Sequence, residues 1–111
     1  MKKLNIPTVL HICGDTTKGI ALMDKSGVNA ISVDQKVNLT AASDSSKTAI
    51  IVGNLDPVQL LWKGEPAAIK EMCEKNFAGG AKIVTVGCGI VTATSTKNLQ
   101  AFVEAVREMK Y

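Results

Sequence analysis

Three side chains able to hold a soft metal ion stand where apolar runs break off. "VLHICGDTT" (9–17) stops at His11, Cys13 and a glycine, and "IVTVGCGIV" (83–91) stops at Cys88 between two glycines. Residues two apart on a strand point to the same side, so His11 and Cys13 can address one point. Cys88 offers a third ligand, and its flanking glycines let the backbone come close without side-chain obstruction. One imidazole, two thiolates and an open fourth position describe a catalytic zinc site, because structural zinc is closed by four protein ligands. Two thiolates favour Zn²⁺ over magnesium or calcium. The competing reading is that His-x-Cys arises by chance and that a buried cysteine is ordinary packing. Cys73, beside Met72 on the apolar face of a predicted helix, is read as packing.

Further polar residues stand at the other run ends. Asp34 closes "AISVD" (30–34), where it is a fourth, displaceable zinc ligand, a support for the His11 ring, or a solvated loop carboxylate. In "GNLDP" (53–57), Asp56 before Pro57 reads as a helix N-cap, which leaves Asn54 as the candidate for touching a cofactor or substrate. Asp15 also reads as an N-cap. The loop "GCGIVTATST" offers an anion cradle at a helix N-terminus, or simply Ser95 or Thr96 as a cap.

The elements that must position these residues alternate. Aliphatic runs at 8–13, 30–34, 48–53 and 82–89 are predicted strands, and their near-continuous hydrophobicity is that of parallel strands covered on both faces. Helices are predicted over 16–27, 38–45, 65–80 and 95–110. Gly27 is placed to end the first; Ile69, Met72, Cys73 and Phe77 form the buried face of the third; Leu99, Phe102, Val103 and Val106 form that of the fourth. Strict alternation gives the α/β class, a single domain over 1–111 with a parallel sheet and right-handed crossovers. Four βα units are half of a (β/α)₈ TIM barrel, the alternative being a small open doubly wound sheet. In both, function belongs at the carboxyl ends of the strands, where these polar residues collect. The first and fourth strands are three spacings apart, roughly 14 Å on a flat sheet, so a site shared by His11 and Cys88 requires barrel-like curvature.

Composition narrows the function classes. The chain has 111 residues, 46% of them hydrophobic, and a net charge of +3. Its lysines are spread thinly and Arg107 is its one arginine. That is a solvated surface and not the clustered cations and aromatics of a nucleic-acid binder. The opening "MKKLNIPTVLHICG" has lysines before an apolar run, but Asn5, Pro7 and His11 break it, which argues against a signal peptide. No stretch reaches membrane-spanning length. A cytoplasmic location is expected, and three cysteines are poor arithmetic for disulfides.

The series "HICG", "GVNAISVD", "GNLDP" and "GCGIVTATSTKNLQAFVEAVRE" resembles the C-terminal half of the uroporphyrinogen decarboxylase superfamily, in the family's order and spacing from about Ile6 to Glu108. The decarboxylases carry His where this chain has Cys88. His-x-Cys followed far downstream by Cys is similar to the zinc-dependent methylcobamide:coenzyme M methyltransferases of methanogenic archaea. That resemblance implies His11, Cys13 and Cys88 as zinc ligands, with Asp34 where an acidic residue near the metal is expected. It also implies a reaction: a zinc-bound thiol, coenzyme M, loses its proton and attacks the methyl group of a methylated corrinoid such as methylcobalamin.

The same resemblance implies a corrinoid protein as partner and an N-terminal half-barrel that this chain does not match. A half-barrel exposes strand edges and an apolar sheet face, so a homodimer with little activity of its own is expected. Two other readings stand beside this one: a non-catalytic half-barrel that binds a partner chain, and a decarboxylase-like tetrapyrrole-binding domain.

Overall fold

The computed structural model describes residues 4–110. The lysines that open the chain, Lys2 and Lys3, lie outside the described residues. Four parallel strands, β1 (Val9–Ile12), β2 (Ala30–Val33), β3 (Ile50–Val52) and β4 (Ala81–Ile83), form one sheet in chain order. Helices α1 (Ile20–Lys25), α2 (Leu39–Ser45), α3 (Pro66–Ala78) and α4 (Thr96–Glu108) come after them in turn. None of the described helices is long and apolar enough to cross a membrane.

Local chemistry explains most boundaries. The first helix is shorter than its pattern predicts: residues Thr17–Gly19 form a 3₁₀ turn before α1. Asp15, expected as an N-cap, stands one residue ahead of the cap position Thr16 and accepts hydrogen bonds from the Thr17 backbone and hydroxyl. Gly27 sits at φ +83°, the left-handed position that ends α1. Asn38 caps α2 by accepting from the Ala41 N–H, and Ser95 caps α4 by accepting from the Asn98 N–H. Asp56 accepts from the Val58 and Gln59 N–H groups ahead of Pro57. From Pro57 to Trp62 the backbone forms a wide π-helical turn, an element that no sequence pattern predicts. The side-chain amide of Asn98 on α4 holds that turn by donating to the Leu61 and Gly64 carbonyls at 2.8 and 2.9 Å.

Two clusters make up the core. Ile31, Val33 and Ile51 point from the sheet onto Ile20, Met23, Val28 and Ala42. Leu55, Leu61, Ile69, Cys73, Ala81, Val84 and Ala105 pack beneath α3 and α4, and Leu39 touches both clusters. Two predicted core positions are exposed instead, Met72 at 36% and Val103 at 44%, while Asn76 and Ala105 are buried. Each helix is thus rotated slightly from the orientation its apolar stripe suggests.

The sheet is covered on one face, not on both as its continuous hydrophobicity predicts. Val9, Ala30 and Ile50 are register partners, as are His11, Ser32, Val52 and Ile83, so all share the face opposite the helices. On it Val9, Ile50 and Ile83 are 61, 39 and 49% exposed. Strands built for burial on two faces here have helices against only one.

Parallel pairing continues past the formal end of β4. Gly53 donates to the Ile83 carbonyl and accepts from the Thr85 N–H; Leu55 then donates to Thr85 and accepts from Gly87. The fourth strand therefore delivers the chain, still hydrogen-bonded, to the residue before Cys88.

Candidate metal centre

β1 brings His11 and Cys13 to the carboxyl end of the sheet on one side. The extended β3–β4 ladder brings Cys88 there from the other edge. Between them Gly87 passes against the turn after β2: a Cβ on it would lie 2.3 Å from the Gln35 nitrogen and 3.0 Å from the Asp34 carbonyl carbon. No side chain fits in that gap, so the fourth strand reaches over the third to meet the second. This is the curvature that a shared site requires.

The three ligand atoms gather tightly. The Cys13 Sγ lies 3.4 Å from His11 Nε2 and 3.8 Å from Cys88 Sγ, and all three atoms fall within 4.8 Å of one another. Tetrahedral zinc, with bonds of about 2.3 Å to sulfur and 2.0–2.1 Å to nitrogen, sets its ligands roughly 3.5–3.8 Å apart. The donor set suits Zn²⁺, and the two spacings from the Cys13 sulfur are close to the tetrahedral values. His11 and Cys13 are exposed and Cys88 is half-buried, so the cluster faces solvent.

Cys88, by hydrogen bond and by charge, pushes the Cys13 thiol above its ordinary pKa, with desolvation and the Asp34 carboxylate adding to the rise. A cation between the sulfurs reverses that repulsion and favours both thiolates.

Asp34 is 4% exposed. Its Oδ2 accepts from the Gly14 N–H and its Oδ1 from the Lys36 N–H, each at 3.0 Å. Burial works to raise its pKa, but these bonds and the charges of Lys36 and His11 outweigh it, leaving the carboxyl below its ordinary value. Its oxygens steady the backbone beside Cys13. The His11 ring is held by another residue: Nδ1 lies 3.1 Å from both the carbonyl oxygen and the Oγ of Ser32. Sequence reasoning missed Ser32. The signal was available, since Ser32 is the single hydroxyl within "AISV", a strand interior otherwise aliphatic.

Asn54 is buried, and its amide donates to the carbonyls of Asp34 and Val37 at 3.0 and 2.9 Å. It shapes the turn after β2. Cys73 is wholly buried among apolar side chains, where desolvation pushes its thiol up to about 11. Among the described residues, four buried side-chain atoms lack a hydrogen-bond partner: Thr16 Oγ1, Gln35 Oε1, Thr94 Oγ1 and Asn76 Nδ2. The first three lie in loops after strands, so unmet polar capacity concentrates at the end of the sheet that carries the cysteines.

A family model described as uroporphyrinogen decarboxylase (URO-D) matches residues 1–109. The chain belongs to this family. Within it, the chain is 52% identical over its whole length to the methylcobamide:CoM methyltransferase MtbA of Methanosarcina mazei. It is 50% identical to the protein of the same name from Methanosarcina acetivorans. A solved structure, a methyltransferase from Methanosarcina mazei, matches with a TM-score of 0.88 at 31% identity, over 96% of this chain and 32% of that one. The four βα units are accordingly half of the family's barrel. The chain spans about a third of the length of these relatives.

Proposed function

We propose that this chain is the metal- and thiol-binding part of a methyltransferase that moves a methyl group from a methylated corrinoid to a thiol, with coenzyme M as acceptor. The single observation that carries the reading is the His11–Cys13–Cys88 cluster, whose spacings of 3.4 and 3.8 Å suit zinc. The similarity to two methylcobamide:CoM methyltransferases supports it.

Zinc bound here would supply Lewis acidity that keeps an acceptor thiol deprotonated near neutral pH. The chain's residues do the remaining work. Cys13 and Cys88 lend negative charge, which preserves the nucleophilic character of a third sulfur. Exposure of His11 and Cys13 leaves that sulfur open to a donor approaching from the strand ends. Asp34, through the Gly14 N–H, fixes the loop that carries Cys13.

The open sheet face defines the partners. Val9, Ile50 and Ile83 are to be covered by the other half of a barrel, or in isolation by a second copy of this chain. The reaction belongs in the cytoplasm, alongside a corrinoid protein as methyl carrier.

Methyl transfer from methylcobalamin to coenzyme M tests the function, using this chain alone and mixed with the preceding part of an MtbA relative. Zinc-dependent product in the mixture, absent when Cys88→Ser is used, is the expected result. No product in the mixture, with zinc bound and the two parts associated, would overturn it.

A further inference from the structure

The His11 ring has two nitrogens, and only one of them faces Cys13. Nε2 lies 3.4 Å from the Cys13 sulfur, while Nδ1 lies 3.1 Å from the Ser32 carbonyl oxygen and 3.1 Å from its hydroxyl. The two oxygens are not equivalent in what they permit. A backbone carbonyl can only accept, so a hydrogen bond to it requires the proton to be on Nδ1. The hydroxyl can accept part of the same proton by rotating its own away. With Nδ1 protonated, the neutral ring carries its lone pair on Nε2, toward the sulfurs.

The strand register makes this arrangement rigid. His11 and Ser32 are direct partners across the β1–β2 pair, on the same face of the sheet. The imidazole therefore lies over Ser32 without any loop intervening.

We propose that Ser32 is the positioning residue for His11: its carbonyl fixes the proton on Nδ1, and its hydroxyl fixes the tilt of the ring, so that Nε2 is presented to the metal. The tautomer part stands on hydrogen-bond geometry alone. The metal part rests on the zinc reading of the His11–Cys13–Cys88 cluster. Loss of a partner behind a metal-bound histidine typically weakens metal binding roughly 10–100-fold. Because the carbonyl survives substitution of the side chain, the loss for the hydroxyl alone belongs at the lower end of that range.

The sequence contains a single histidine, so nitrogen NMR of the ¹⁵N-histidine-labelled chain reads both ring nitrogens without assignment. In the folded, metal-free chain at pH 8 the Nδ1–H tautomer is expected to dominate. The urea-unfolded chain, where water solvates both nitrogens, should favour Nε2–H. An Nε2–H tautomer in the folded chain would overturn the assignment.

Zinc titration against a competing chelator is the second arm. Ser32→Ala should keep the tautomer but weaken zinc binding about tenfold, and Ser32→Thr should restore it, with urea midpoints confirming that each variant folds. Equal zinc affinity for Ser32→Ala and the parent would overturn the role of the hydroxyl. An Nδ1–H tautomer in a parent chain that takes up no zinc would support the carbonyl's role while overturning the metal reading, so the two failures are distinguishable.

Discussion

Cys13 and Cys88 stand 75 residues apart in the chain and 3.8 Å apart at their sulfurs. One sulfur comes from just beyond the first strand and the other from beyond the fourth, so the fold as a whole creates the pair. Zinc reconstitution and subsequent elemental analysis are expected to give one metal ion per chain. Cys13→Ser and Cys88→Ser should each abolish retention after gel filtration, while Cys73→Ser, remote in the core, should leave the stoichiometry unchanged. Retention of zinc by the Cys13→Ser, Cys88→Ser double variant would sink the assignment.

Gly87 permits that meeting. A methyl group there would overlap the Gln35 backbone nitrogen, so Gly87→Ala must push the fourth strand's extension away from the turn after β2. Overpacking of this kind costs about 1–3 kcal/mol. Urea denaturation should register that loss, together with weakened zinc binding. Gly89→Ala, which meets nothing within 4 Å, is the matched control and should change neither.

Asn54 distinguishes a structural residue from one that touches substrate. Its amide donates to two carbonyls at the turn after β2; Asn54→Ala takes that donor from Val37 and leaves the Asp34 carbonyl with only the Val37 N–H. The expected loss is about 1–3 kcal/mol of stability. An unchanged urea midpoint, with impaired thiol binding, would restore the reading of Asn54 as a substrate contact.

Acid sensitivity should centre on Asp24. Its carboxylate accepts from the Ala49, Thr48 and Lys47 N–H groups and from the Thr48 and Ser46 hydroxyls. Those bonds, with Ala49 foremost, hold its pKa well below the ordinary carboxylate range. A carboxyl depressed in the fold stabilises above its unfolded pKa of about 3.9, and that stability is lost as pH falls toward the folded value. The parent's urea midpoint should therefore drop between pH 6 and pH 3. Asp24→Asn should start lower at pH 6 and fall less; an equal fall in both would remove Asp24 as the cause.

Thiol counting offers a simple check on the roles of the three cysteines. Cys13 is exposed and Cys88 half-buried, whereas Cys73 is buried with its thiol pushed up to about 11. At pH 8 an aromatic disulfide reagent should titrate two thiols in the folded, metal-free chain and the third only after unfolding. Three fast-reacting thiols would mean that the α3 core opens readily.

The alternation of strands and helices was legible because parallel strands and amphipathic helices leave different periods in the sequence. The gathering of His11, Cys13, Asp34, Asn54, Asp56 and Cys88 at strand ends was visible for the same reason. What each of them touches was not. Asn54 and Asp34 spend their polar atoms on backbone groups brought near by tertiary packing. Ser32 acquires its contact with His11 only through the register of two strands. The open sheet face was expected from the half-barrel reading alone; the hydrophobicity of Val9, Ile50 and Ile83 is that of residues meant for burial whether or not a covering layer is present. The π-helical turn after Pro57 depends on Asn98, more than thirty residues downstream, and no local pattern announces it.

The joining of the sheet's two edge strands has a topological consequence. An ion held by His11, Cys13 and Cys88 acts as a cross-link that encloses most of the described chain in one ring. Cross-links of long loops remove the most conformational freedom from the unfolded ensemble. Occupancy and folding then become linked equilibria, in which free metal above its dissociation constant deepens the native well. A chelator would lower this chain's resistance to unfolding, which would rise again with free zinc concentration.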